Sequence, residues 1–262
     1  MKNLYVSSNF FFNTDLETMM NKTKRYGFSG IEVWAQQFDL SRYSRKECRT
    51  LSDQYGLKNF VHAKSWDLNF ASLNQNIRNT SIEEIKRSID LADALAISEV
   101  TVHPPQMTLV GDRDRSLRLG RNSLAEIVSY GESKNIDVSI ELMEKLPHEL
   151  VTSYEEFTEL ADGFIDQLKV TIDIAHCDSL EEFEHYFDVF DNISKIHLSN
   201  RKGNVLHTPL YEGDYDFSSC FDTILKKNLP IVLEGFDARP GLMQVKKEVS
   251  YIKKIMEENN GF

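Results

Sequence analysis

Glu99-Val100-Thr101-Val102-His103-Pro104 and Asp137-Val138-Ser139-Ile140-Glu141-Leu142-Met143 are short β-branched runs, with an amphipathic stretch near 115–134 between them. Strand, helix, strand in that order implies parallel pairing through a right-handed crossover. The same unit recurs upstream and downstream. The short runs are Leu4–Asn9, Gly30–Ala35, Asn59–Lys64, Glu99–Pro104, Asp137–Met143, Lys169–His176, Ser194–Ser199 and Pro230–Phe236, and helical patterns lie near 15–26, 44–55, 81–96, 115–134, 153–161, 179–190, 216–227 and 242–258.

Eight such units predict an α/β fold, a (β/α)8 TIM barrel with residues 1–262 as its one domain. A doubly wound open sheet is the competitor, but no glycine-rich phosphate turn follows the first strand. Local signals punctuate the units. Thr14-Asp15 and Thr80-Ser81 can cap helices, with Glu84 placed for a capping box with Ser81. Gly27 and Gly56 can end them in the left-handed conformation, and Leu229-Pro230 blocks further helix before the last strand.

Composition narrows the function classes. The chain carries 30 basic against 41 acidic residues, a net charge of −11, and has no dense Lys/Arg block, which disfavours nucleic acid as a partner. There is no run of apolar residues long enough for a membrane span, and no long apolar segment follows Met1 as in a secretory signal. Cys48, Cys177 and Cys220 are isolated and odd in number, which points to a reducing compartment, by default the cytoplasm.

The active end of a parallel barrel is the C-terminal end of its strands. There the chain places His62, His103, Glu141, Asp173 with His176, His197 and Glu234, on the third to eighth strands. Four of the seven histidines sit at these ends, and His207 lies in the loop after the seventh strand. Carboxylates ending apolar strands are costly to bury unless paired or bound to metal, and this mixture of imidazole and carboxylate suits Zn, Mn, Co or Mg. The bland alternative is a set of buried polar plugs.

The chain resembles the xylose isomerase-like TIM barrels, which include sugar and sugar-phosphate isomerases and epimerases and the abasic-site endonucleases of the endonuclease IV type. The resemblance runs in order through Gly27-Phe28-Ser29-Gly30-Ile31-Glu32-Val33-Trp34, His62 with Asp67–Ser72, Val102-His103-Pro104, Ile140-Glu141, Asp173-Ile174-Ala175-His176, Ile196-His197-Leu198-Ser199-Asn200, His207 with Glu212-Gly213, and Leu233-Glu234-Gly235. It implies that Glu141, Asp173, His197 and Glu234 match the metal-binding set of the isomerases and epimerases. His62 and His103 match ligands of a second ion shared with Glu141, so one ion or two are expected. His176 and His207 match ligands of the endonuclease type's third metal. At that site Val205 stands where a carboxylate is usual, and Asn200 replaces a common Asp.

The first functional expectation is therefore a metal-dependent isomerase or epimerase of a sugar or sugar phosphate, working by proton transfer through a metal-stabilised enediolate. Glu141 and Glu234 would be acid and base, and His176 would orient a hydroxyl or stabilise the oxyanion. An endonuclease IV-type phosphodiesterase is the second expectation. A related dehydratase would use the same site, and the non-enzyme alternative is a sugar-sensing metal-binding module. Trp34, Trp66 and His207 are candidate substrate contacts, with packing or surface positions as the plain alternative. Arg201 is a candidate phosphate contact, or solvated loop charge. Phe10-Phe11-Phe12 would form a lid or a subunit contact of a homo-oligomer, or pack under its loop. Glu32 reads as an inward barrel residue with its own ion-pair partner, and Cys177 as a small buried filler.

Overall fold

The computed structural model describes residues 3–239 and 241–259. Eight parallel strands close a barrel. They are β1 (Leu4–Ser7), β2 (Gly30–Trp34), β3 (Phe60–His62), β4 (Glu99–Val102), β5 (Asp137–Leu142), β6 (Leu168–Asp173), β7 (Ile193–Leu198) and β10 (Ile231–Leu233). Sequential strands are neighbours round the ring, and β10 pairs with both β7 and β1. The outer helices are α1 (Leu16–Tyr26), α3 (Arg45–Tyr55), α4 (Gln75–Leu95), α5 (Arg113–Ser133), α6 (Tyr154–Leu160), α7 (Leu180–Val189), α8 (Phe217–Lys226) and α9 (Met243–Asn259).

Chain chemistry accounts for the boundaries. The Asp15 carboxylate caps α1 by accepting from Thr18 N at 2.8 Å, and Gly27 ends it at φ 91°. The expected start of α4 at Ser81 is wrong. Asn74 caps the helix seven residues earlier, and Ser81 lies inside it, buried. Its hydroxyl donates to Ile77 O and accepts from Asn69 N, while Glu84 pairs with Lys64 and Arg87 rather than closing a capping box. A Ser-x-x-Glu spacing is also satisfied in mid-helix, where Ser bonds back to the preceding turn.

Strand pleat divides the barrel residues into two sets. Ile31, Val33, Val61, Val100, Val102, Val138, Ile140, Val170, Ile172, Ile196 and Leu198 are buried in the apolar core. The intervening residues are polar and also buried: Glu32, Thr101, Ser139, Thr171 and Lys195, with Glu141, Asp173 and His197 two residues further along their strands. Register sets Asp173 level with His197, and Trp34 level with His62.

Two elements lie beyond the eightfold pattern. A short helix α2 (Ala35–Leu40) follows β2, and a hairpin of β8 (Asn200–Lys202) and β9 (Val205–Thr208) stands on the β7 loop. The first strand is shorter than expected, because Ser8–Phe11 coil into a 3-10 turn. That turn buries Phe10 and Phe11 in the core, which removes them from any lid; only Phe12 reaches the mouth, with its ring centroid 4.9 Å from that of Phe236.

Candidate active site

The ends of β3 to β7 and of β10 each deliver one or two ligand-type side chains to the mouth, and with His207 they fall into three clusters. His62, His103 and Glu141 form one; Glu141, Asp173, His197 and Glu234 form the second; Asp173, His176 and His207 form the third. Within each, the ligand-capable atoms lie within 4.8 Å of one another. Glu141 and Asp173 each belong to two clusters, so the three are contiguous.

Hydrogen bonds set the imidazoles. His62 Nδ1 lies 2.8 Å from Ala63 O, which turns Nε2 toward Glu141 Oε2 at 3.4 Å. The Trp34 ring lies flat on His62, with centroids 3.8 Å apart and planes 8° from parallel. His103 Nε2 is 3.4 Å from the same Glu141 oxygen. His197 Nδ1 faces Glu141 Oε1 at 3.3 Å and Glu234 Oε2 at 2.9 Å, and its Nε2 points back to Glu32. His176 Nδ1 is 2.8 Å from Leu142 O, leaving Nε2 directed at Glu144 Oε2, 3.7 Å away.

The hairpin brings in His207, whose Nδ1 sits 3.1 Å from Ser199 Oγ and 3.7 Å from Asp173 Oδ2. Asn200 anchors that hairpin: its amide nitrogen donates to Leu210 O and Tyr215 O, and its oxygen accepts from the Arg201 and Tyr215 amides. A carboxylate could not donate to those two carbonyls, which is a local reason for Asn at this position.

Buried acceptors without donors suit the site to a cation. Asp173 Oδ2 is buried and accepts no hydrogen bond, and Glu234 Oε2 makes none although His197 is beside it. Acceptors left unsatisfied in a protein interior are expensive. The burial of Asp173 pushes its carboxyl up to about 6, against the pull of His176 and His207. For Glu141 burial acts upward too, but His197 and His103 outweigh it and hold the group well below the ordinary carboxylate range. Burial lowers His103 to about 4, keeping its imidazole neutral and able to ligate. In His176 burial is outweighed by Asp173, Glu141 and Glu144, which raise it to about 9. Nitrogen and oxygen donors in this ratio fit a divalent ion of the Zn, Mn, Co or Mg kind.

A cavity of about 570 Å³ opens above the clusters, lined by Trp34, Trp66 and Phe236 together with His103, His176 and His207. Glu141, Glu144 and Glu234 form part of its floor and wall. Among the described residues no lysine or arginine lines it. Arg201 donates instead to Cys177 O and Gly203 O and faces Asp178. Lys64, just past β3, is paired with Asp39 and Glu84, and Lys145, just past β5, with Asp178 and Glu182. The Cys177 thiol is buried against Asp173 O, and burial raises it well above its usual value, as befits a filler.

Of the sequence candidates, Arg201 alone lies away from this assembly. Sequence reasoning missed Glu144 and Phe236 as lining residues. Glu144 follows Glu141 by three positions in a loop at the strand's C-terminal end, a placement that could have marked it.

The model of the xylose isomerase-like TIM barrel family matches residues 20–255. An uncharacterized protein of Methanocaldococcus jannaschii is 28% identical over 228 residues, covering 84% of this chain and 78% of its own. A probable endonuclease 4 of Acholeplasma laidlawii is 20% identical over 195 residues, 66% of each chain. Among solved structures, a D-tagatose 3-epimerase-like protein superposes with a TM-score of 0.81 at 24% identity, covering 98% of both chains. A D-allulose 3-epimerase from Methylomonas sp. in complex with D-allulose gives 0.72 at 16% identity and 96% of both. At those identities the solved structures establish the fold alone, whereas the family match spans most of the sequence. This chain belongs to the xylose isomerase-like TIM barrel family.

Proposed function

We propose that the protein is a metal-dependent isomerase or epimerase of a small sugar. The observation that carries this reading is the four-residue centre of Glu141, Asp173, His197 and Glu234 beneath a cavity of sugar size with an aromatic wall. Bound by those four residues, a divalent cation would engage vicinal sugar oxygens and acidify the C–H beside the carbonyl.

The remaining chemistry belongs to the chain. Glu234, just past β10, and Glu141 on β5 reach the centre from strands three places apart in the ring, so their carboxylates approach a bound sugar from different sides. Glu234 takes the carbon-bound proton on a carboxylate oxygen, Glu141 delivers to the other face a proton it first takes from solvent at the open mouth, and Glu234 then releases its own proton to solvent. His176, held at Nδ1 by Leu142 O, presents Nε2–H to a substrate hydroxyl. Trp34, Trp66 and Phe236 cover the apolar face of the sugar and exclude water. His62 and His103 complete a second ion position with Glu141.

Further support comes from the neutralised cations around the mouth and the net charge of −11, which together give a phosphodiester backbone little to hold. Among the described residues all three cysteines are free and no helix is long and apolar enough to cross a membrane, and we place the enzyme in the cytoplasm.

Interconversion of free and phosphorylated ketoses by the metal-loaded protein, followed by NMR, tests the reading. Glu234→Gln should abolish it; a variant with full activity would refute the assignment of Glu234. A second reading, phosphoester hydrolysis, draws on the two flanking clusters, each of which adds two histidines to a carboxylate shared with the centre. It would be favoured by metal-dependent cleavage of an abasic duplex that His103→Ala removes.

A further inference from the structure

The barrel interior holds a charged chain below the candidate centre that no step above uses. Glu32 on β2 is fully buried, with its carboxyl set between His197 and Lys195. Its Oε2 lies 3.0 Å from His197 Nε2, in contact but not aligned as a hydrogen bond, and neither atom has a hydrogen-bond partner elsewhere. Its Oε1 accepts from Thr101 Oγ1 at 2.8 Å. Lys195 Nζ stands 4.0 Å from that oxygen, in close contact with Glu99 and over the Phe60 ring at 5.0 Å.

A carboxyl at zero exposure is expensive unless its polar atoms are engaged. The lysine does not explain it, because Glu99 already neutralises Lys195 at shorter range. The contact that accounts for Glu32 is the one to His197. A ligating imidazole must offer one nitrogen as a lone pair and keep its proton on the other, and a carboxylate behind the ring fixes that choice and strengthens the donor.

We infer that Glu32 is the positioning residue of the centre. It retains the proton on His197 Nε2 and thereby commits Nδ1, the nitrogen facing Glu141 and Glu234, to the cation. Thr101 orients the Glu32 carboxylate, and the Lys195–Glu99 pair braces it from below. This rests on the reading of the four-residue centre as a metal site.

The test is affinity for Zn²⁺ alone, measured by chelator competition on the full chain, alongside the melting temperature of the metal-free protein. Glu32→Gln should bind Zn²⁺ about 10- to 100-fold more weakly, the range expected for loss of a partner behind a ligating histidine. Thr101→Val should weaken it in the same direction by a smaller factor and covers the case of a Glu32 variant that does not fold. Histidine ¹⁵N spectra of the Zn²⁺-loaded native protein should show the His197 proton on Nε2. Wild-type affinity in both variants, or an Nδ1–H tautomer, overturns the inference. So does a fall in metal-free melting temperature with affinity unchanged, which would make Glu32 purely structural. A native chain that takes up no Zn²⁺ removes the metal reading itself.

Discussion

Removing the charge of Asp173 should have opposite effects on the metal-free and metal-loaded protein. Its carboxyl is fully buried and is pushed up to about 6 by that burial. A raised acid contributes its stability below the unfolded value near 4 and loses it as pH rises through 6. At pH 8 the ionised group therefore costs up to about 3 kcal/mol, at 1.36 kcal/mol per unit. Asp173→Asn lifts that cost, which is already net of the attraction to His176 and His207, and the amide oxygen can still accept from Ala175 N as Oδ1 does. The metal-free variant should then be as stable as the native chain or more so.

Loading reverses the order. A ligand at a thousandfold its Kd stabilises by about 4 kcal/mol. For a chain of this size each kcal/mol moves Tm by about 2 °C, so the native protein should gain about 8 °C. The variant lacks a charged ligand of two clusters and should gain less than about 3 °C at the same metal concentration. Thermal unfolding followed by circular dichroism at pH 8, with Mn²⁺ or with chelator, reads both quantities. A variant that keeps the full metal shift, or whose metal-free form loses more than about 2 kcal/mol, would refute the reasoning.

Gly213→Ala would place a Cβ 1.9 Å from Asn200 Cγ, dislodging the amide that ties the hairpin bearing His207. A loss of about 2–4 kcal/mol is expected in urea unfolding, and an unchanged midpoint would contradict the account of Asn200. Trp66 is 40% exposed, so Trp66→Ala should cost little stability but raise KM about 3- to 10-fold by opening the aromatic wall; an unchanged KM would remove the ring from the substrate surface. Glu248 on α9 is buried and pushed up to about 8 by that burial, although it accepts from Leu210 N. Its stabilising share is full below the unfolded value near 4.5 and lost as pH rises through 8. Glu248→Gln should therefore flatten the loss of stability between pH 5 and 9, by about 3–5 kcal/mol at the alkaline end; parallel pH profiles would show that Glu248 titrates normally.

The barrel was legible in the sequence because its signal is local: short β-branched runs alternate with capped amphipathic segments. Ligand-type residues were legible for a related reason, since a His or Glu closing an apolar run falls at the strand end that faces the mouth. What escaped depends on partners distant in sequence. Glu32 reads as an inward residue, but its contact with His197 exists only once β2 and β7 share a barrel. The β8–β9 hairpin leaves no periodic trace in so few residues, and so the fate of Arg201, turned onto Cys177 O, could not be read. Ser81 misled because its spacing to Glu84 satisfies a cap and a helix interior alike, and the stronger cap at Asn74 decided between them. Phe10 and Phe11 looked like mouth residues until the turn after β1 drew them into the core.

Solvent hydrogen exchange at the carbon beside the carbonyl tests the central claim most directly. Free and phosphorylated ketoses would be incubated in D₂O with the protein loaded with Mn²⁺ or Co²⁺ and analysed by NMR and mass spectrometry. The account predicts deuterium in both recovered substrate and isomerised product, dependent on the ion and absent with Glu234→Gln. No incorporation into any ketose, together with metal-dependent cleavage of an abasic duplex by the same preparation, would contradict it and assign the centre to phosphoester hydrolysis.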